Sequence, residues 1–224
     1  MVQRGRPREF DMDDALDKAI DVFWRQGYTG TSLSDLTEAM GISRPSLYNA
    51  FGTKEETFKL AVERYARIDM AYVNTALAEP TAYETARRYL RDNADAVTTP
   101  GKPAGCLSIQ GGLAAAPEDD RVVRYLADRR ADGEARFAER FARAIADGDL
   151  PASEDPADLA KYVSTVSAGL AVQAAAGVSR EALHRVVDRA LLVFPGGASP
   201  TASPHGADRN PRTAGGERTA PAAR

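Results

Sequence analysis

Residues 31–54, Thr31-Ser-Leu-Ser-Asp-Leu-Thr-Glu-Ala-Met-Gly41-Ile-Ser-Arg-Pro45-Ser-Leu-Tyr-Asn-Ala-Phe-Gly-Thr-Lys54, decide the fold. They read as two short helices joined by a tight turn. Ser32 is placed to N-cap the first helix, with Asp35 three residues on to complete a capping box. Leu33, Leu36 and Met40 then share one face at helical spacing. Gly41 stops that helix. Ser43 caps the second, and Pro45 falls in its first turn, where a missing N–H costs little. Leu47 and Phe51 form the inward i, i+4 pair, which leaves Arg44, Pro45, Ser46, Tyr48 and Asn49 outward. A two-turn helix with one apolar stripe, a cationic and amide outer face, and no acid between Gly41 and Lys54 is the composition of a recognition helix for a DNA major groove. The plainer alternative is an ordinary helical hairpin, and the flanking sequence argues against it.

On the N-terminal side, Asp11 caps a first helix over about Met12 to Gln26, with Leu16, Ala19, Ile20 and Phe23 inward and Gly27 as its end. Trp24 belongs at the border of this small domain. Before it, residues 1–9 form a basic arm: Arg4, Arg6 and Arg8 stand among Gly and Pro, a composition suited to a narrow minor groove. On the C-terminal side, Thr53 opens a capping box for a long helix reaching about Ala78, with Phe58, Val62, Tyr65 and Tyr72 along one face. Lys54 lies in its first turn, where free N–H groups and the ammonium together hold a phosphate.

The run Gly27-Tyr-Thr-Gly-Thr-Ser-Leu-Ser-Asp-Leu through Lys54-Glu-Glu-Thr-Phe58 resembles the N-terminal domain of the TetR family of bacterial transcriptional repressors. The resemblance covers about Arg4 to Tyr65, and Gly27, Thr31, Leu36, Ala39, Gly41, Leu47, Tyr48, Phe51, Lys54 and Phe58 carry it. It implies an all-α homodimer. A three-helix DNA-binding domain is followed by a larger helical domain that holds a small-molecule effector and the dimer interface. It also implies residue roles: Thr31, Tyr48 and Lys54 on phosphates, with Ser32 beside them, and Arg44, Pro45, Ser46 and Asn49 at base edges.

The bounds set by composition agree. The chain has 224 residues, 43% of them apolar, enough for a real core. One cysteine, Cys106, excludes an internal disulfide and fits a reducing cytoplasm. No apolar run is long enough to span a bilayer, so no membrane partner is expected. A formal charge of −3 excludes a nonspecific polyanion binder, and any DNA binding must be local. Neither histidine, His184 or His205, belongs to an evident site. No metal-ligand spacing, phosphate-cradling loop or partnered nucleophile is present, so neither a cofactor nor enzymatic activity is expected.

Beyond Glu79 the chain reads as further helices: 80–99; a break at Pro100, Gly101 and Pro103; a short apolar stretch with Cys106, Gln110 and the adjacent glycines Gly111 and Gly112; then 117–148, 156–176 and 179–194. Paired glycines cost a helix interior about 1 kcal/mol each, so they mark an irregular or movable element. Candidate effector contacts are Tyr65, Cys106, Gln110, Tyr125, Arg129, Phe137 and Gln173. Cys106 has two readings, a buried hydrophobe or a thiol sensing oxidants or electrophiles with Lys102 as its nearest cation in sequence. Leu159, Val163, Val166 and Leu170 form one apolar seam and Leu183, Val187 and Leu191 another. Paired across a two-fold axis they would build a four-helix dimer interface, or else they complete the monomer core. The dimer suits a palindromic double-stranded operator, whose successive major grooves lie about 34 Å apart. The expected domains are therefore the arm at 1–9, a helix-turn-helix domain at 10–52, a ligand-binding and dimerisation domain at 53–195, and a disordered tail at 196–224. The expected function is a cytoplasmic repressor released from its operator by an effector. A thiol-sensing repressor is the alternative, and an adaptor without DNA contact is a weaker one.

Overall fold

The computed structural model describes residues 10–112, 116 and 119–196. Among the described residues every regular element is helical: α1 (Met12–Gly30), α2 (Leu33–Met40), α3 (Arg44–Phe51), α4 (Lys54–Ile68), α5 (Tyr72–Leu77), α6 (Ala82–Ala96), α7 (Leu107–Gln110), α8 (Asp120–Ala146), α9 (Pro156–Ala175) and α10 (Arg180–Ala190), closed by a 3-10 turn at Leu191–Val193. The basic arm and all but the first residue of the expected tail lie outside the described residues.

The caps are those the sequence predicts. Asp11 accepts from the N–H groups of Asp13 and Asp14, Ser32 and Asp35 form a reciprocal capping box, Ser43 accepts from Ser46 N–H, and Thr53 pairs with Glu56. Gly41 takes the left-handed conformation, φ 69° and ψ 30°, that turns the chain from α2 into α3. Gly27, at φ 71° and ψ 172°, breaks α1 where the helix was expected to end, and one more turn carries on to Gly30.

Two corrections concern length. The single helix expected from Thr53 to Ala78 is two, because the chain turns between Asp69 and Ala71 and restarts as α5. The segment around Cys106 forms only one helical turn, α7, which ends at the paired glycines.

Leu36, Leu47, Phe23 and Phe58 are fully buried where α1, α2, α3 and α4 meet. Phe23 and Phe58 pack edge to face at 4.9 Å, and Tyr28 packs on Phe58 at 5.2 Å. Arg64 of α4 fastens the same helices from the outer side: Nε and one terminal nitrogen bond both carboxylate oxygens of Asp17 at 2.6 and 2.7 Å, and the other terminal nitrogen reaches Asp13 at 2.9 Å. In the larger part α8 and α9 lie along each other, and α6 packs against α5, α9 and α10. Phe137, Phe141 and Phe194 run through its core.

Candidate DNA interface and ligand cavity

The capped geometry of α3 turns Leu47 and Phe51 into the core and presents Arg44, Pro45, Tyr48 and Asn49 to solvent. Tyr48 is 49% exposed, unusual for an aromatic in a domain this small, and a ring so placed can lie against a sugar-phosphate chain. Arg44 donates to Ser34 Oγ of α2 at 2.8 Å, which steadies it while its remaining N–H groups stay available. Ser46 is half-buried and its hydroxyl is shared with Ser43 at 2.9 Å, so it is the least available of the α3 set. Ser32 Oγ accepts from Asp35 N–H and so caps the N-terminus of α2. In return the Asp35 carboxyl accepts from the Ser32 backbone N–H at 2.8 Å and from its hydroxyl, which holds it below its ordinary pKa.

Thr31 departs from expectation. Only 2% of it is exposed, and its hydroxyl donates to Gly27 O at 2.7 Å, so it braces the break in α1 rather than offering a free hydroxyl to a phosphate. Lys54 Nζ lies 4.2 Å from the centre of the Tyr28 ring. Burial draws its pKa down, and Asp119 at the start of α8 partly opposes this. Asp119 also accepts from Thr29 at 2.5 Å. Arg4 and Arg6 lie outside the described residues.

A cavity of about 830 Å³ opens among α4, α5, α6, α7, α8 and α9. Tyr65, Cys106 and Phe137 line it as expected, and Arg129 stands at its rim, 3.6 Å from Asp132. Three expected lining residues belong elsewhere. Gln110 turns towards the head, where its amide oxygen accepts from Trp24 Nε1 of α1 at 3.2 Å. Tyr125 lies against α4, with its hydroxyl on Lys59 O at 3.4 Å and the Lys59 ammonium over its ring. Gln173 is exposed on the outer side of α9. Tyr89, Asn93, Ser108 and Ser167, none of them among the expected contacts, also line the cavity, as does Arg130, which falls near the same inner stripe of α8 as Arg129. A signal existed for Asn93, a polar residue on the same α6 face as Tyr89, Leu90 and Ala94, all buried.

Cys106 is 5% exposed. Tyr65 donates to its Sγ at 3.4 Å, and Ser108 Oγ lies 3.0 Å away. Burial raises the Tyr65 pKa well above its ordinary value. Lys102 is paired with Asp69 instead of reaching the thiol. The thiol-sensing alternative is therefore not favoured. His184, read as isolated, joins a surface network: Nε2 lies 2.9 Å from Asp95, Nδ1 3.1 Å from Arg91, and Arg91 pairs with Asp188.

The residues expected to form dimer seams take the other course open to them and pack within the monomer. Leu159, Val163, Leu170, Leu183, Val187 and Leu191 are buried in the monomer, and Val166 is partly buried against the same core. These residues pack α9 and α10 onto the rest of the chain. The apolar groups left outside are Val172 at 44% exposure on α9, Val186 at 50% on α10, and Leu192 and Val193 at 42% and 51% just beyond it. No helix among the described residues is long and apolar enough to cross a membrane.

A capped helix-turn-helix with a polar outer face, joined to a larger helical body, is the build of a helix-turn-helix DNA-binding regulator. Residues 15–61 match the family model for bacterial regulatory proteins of the tetR family. The chain is 33% identical over 194 residues to the transcriptional repressor ComR of Escherichia coli, covering 86% of this chain and 92% of ComR. It is 32% identical to the HTH-type regulator YezE of Bacillus subtilis over 85% of this chain and 99% of YezE. Among solved structures, a cysteine mutant of the TetR family regulator CifR, complexed with a 26-bp double-strand operator DNA, is 44% identical with a TM-score of 0.81, covering 85% of this chain and 100% of CifR. The chain belongs to the TetR family of transcriptional regulators.

Proposed function

We propose that this chain is a homodimeric repressor that binds a palindromic double-stranded operator and releases it when a small molecule occupies the cavity. The head, 10–52, makes the DNA contacts with the arm at 1–9, and the body, 53–195, holds ligand and partner. Operator contact falls to Ser32, Arg44, Pro45, Tyr48, Asn49 and Lys54, with Ser46 in a minor part and Arg4 and Arg6 reaching from the arm. The CifR complex with operator DNA supports this reading.

One observation carries the coupling. The α7 turn lines the cavity with Cys106, Ser108 and Ile109. One residue further on it holds the head, through Gln110 to Trp24 at 3.2 Å and through Gly111 O, which accepts from Tyr28 N–H at 3.2 Å. A ligand that displaces α7 therefore acts on α1 directly. It shifts the population only if it binds the released arrangement more tightly than the operator-bound one. The dimer forms through the outer faces of α9 and α10, around Val172, Val186, Leu192 and Val193, since the inner seams are already used. The protein works in the cytoplasm as a regulator without enzymatic activity.

The test is selection of bound fragments from random double-stranded DNA by the purified full chain, followed by titration of the selected site. Enrichment of a palindrome bound by two protomers is expected. Absence of any sequence preference at both low and moderate salt would overturn the reading.

A further inference from the structure

One residue on the inner wall of the cavity carries an unspent hydrogen-bonding atom. Asn93 of α6 lines the cavity and is 2% exposed. Its amide nitrogen donates to Tyr72 Oη at 2.9 Å, while Oδ1 is buried without a partner. The other deep polar groups are satisfied by one another: Tyr89 Oη bonds Ser167 Oγ at 2.9 Å, and Tyr65 Oη bonds Cys106 Sγ. Buried polar atoms are nearly always paired, so an orphan on a cavity-lining residue points to what the cavity takes.

We infer that the cavity is specific for hydroxylated aromatic molecules, entering ring first with the hydroxyl directed at the Asn93 amide. This rests on the reading of the cavity as the effector site. If the amide is turned over, Oδ1 accepts from Tyr72 and the N–H end is the one left unpaired, so in either orientation one polar end lacks a protein partner. A hydroxyl, which both donates and accepts, serves both orientations; an ether or a hydrocarbon does not. The ring is called for by the surrounding wall. Tyr89 and Phe137 lie with centroids 4.4 Å apart at 43°, with Tyr65 and Val62 also on the lining, so the wall presents flat apolar surface. The charged lining residues, Arg67, Arg129, Arg130, Asp132 and Glu134 among them, are all less buried than this inner set, so the ligand's inner end is uncharged. A cavity of about 830 Å³ has room for two or three fused or linked rings.

The discriminating measurement compares matched pairs on the full-length protein: 2-naphthol with naphthalene and with 2-methoxynaphthalene, and 4-phenylphenol with biphenyl, by ligand-observed NMR titration. In a purely apolar cavity the hydroxylated member would bind no better than its parent, because desolvating the hydroxyl goes uncompensated. The expected result is at least about tenfold tighter binding of the hydroxylated member. In Asn93→Leu, checked for helicity by circular dichroism, that preference disappears. The inference is overturned if neither hydroxylated ring binds, if wild type shows no hydroxyl preference, or if folded Asn93→Leu retains it. The two readings separate in an operator-release assay. Hydroxyl preference without release by any hydroxylated ring removes the effector role and leaves the binding specificity standing. Release by rings lacking a hydroxyl, with no preference in binding, does the reverse.

Discussion

Trp24 of α1 donates its indole N–H to Gln110 of α7 at 3.2 Å, across 86 positions of sequence. Trp24 is also edge-on to Tyr65 at 5.0 Å, and Tyr65 lines the cavity. The single tryptophan of the chain therefore links the head to the wall of the cavity. Replacing Gln110 by Leu leaves a buried indole N–H unpaired, a cost of about 1–3 kcal/mol. Urea unfolding followed by Trp24 fluorescence should show that loss, and operator release by a bound ligand should require a higher ligand concentration than in wild type.

The Arg64 pair gives a prediction with a defined sign in pH. Hydrogen bonding to Arg64 holds the Asp17 carboxyl below its ordinary range. A depressed folded pKa stabilises the protein above the unfolded value, about 3.9, and the contribution is lost as pH falls through the folded value. Asp17→Asn should thus cost about 1 kcal/mol at pH 7, a figure reduced because the Asp17 side chain is 55% exposed and Asp13 remains on Arg64. The gap between wild type and variant in urea midpoints should narrow below pH 4 and close near pH 2. An equal gap at pH 7 and pH 2 would contradict the ion-pair account.

Operator contacts should separate by kind. Lys54→Ala should weaken binding by a similar factor on cognate and scrambled DNA and lower the salt slope by about one, as loss of a phosphate contact does. Arg44→Ala should cost about 1–3 kcal/mol on the cognate site and relax the preference at one base position. Tyr48→Ala should weaken binding without lowering the melting temperature by more than a degree or so, since its ring is half in solvent. Thr31→Val keeps the buried shape and loses the bond to Gly27 O, so it should show up in stability before it shows up in DNA affinity.

The two faces of α9 and α10 should respond differently. Val172→Glu combined with Val186→Glu should yield folded monomers by sedimentation. Leu170→Ala, at a residue 2% exposed, should cost about 2–5 kcal/mol of monomer stability and change association little.

The head was readable because its determinants are local. Each cap and its partner sit within four residues, and the core stripe of α2 and α3 follows from spacing alone. The body was readable as a set of helices, yet the assignment of their faces failed where it depended on distant partners. The seam of Leu159, Val163 and Leu170 has the same periodicity whether it meets α8 or a second copy, so nothing within α9 tells the two apart. Gln173 looked special by contrast with its alanines, but its direction is set by which face of α9 those alanines bury. Asn93 had the opposite history, an unremarkable letter until its buried environment was known. The turn at 69–71 left no proline or glycine to mark it; Met70 and Ala71 are good helix formers, and Asp69 alone is a weak one.

That turn has a mechanical consequence. Arg64 clamps α4 to α1 about three turns in, which fastens the head to α4, and α4 runs on about one more turn before the chain turns at Asp69. Arg67 and Met70 on one side and Val73 and Asn74 on the other all line the cavity. On the proposed function, a molecule in the cavity would sit at the fulcrum of the recognition unit, where a small rotation would be magnified by the whole length of α4 before it reached the recognition helix.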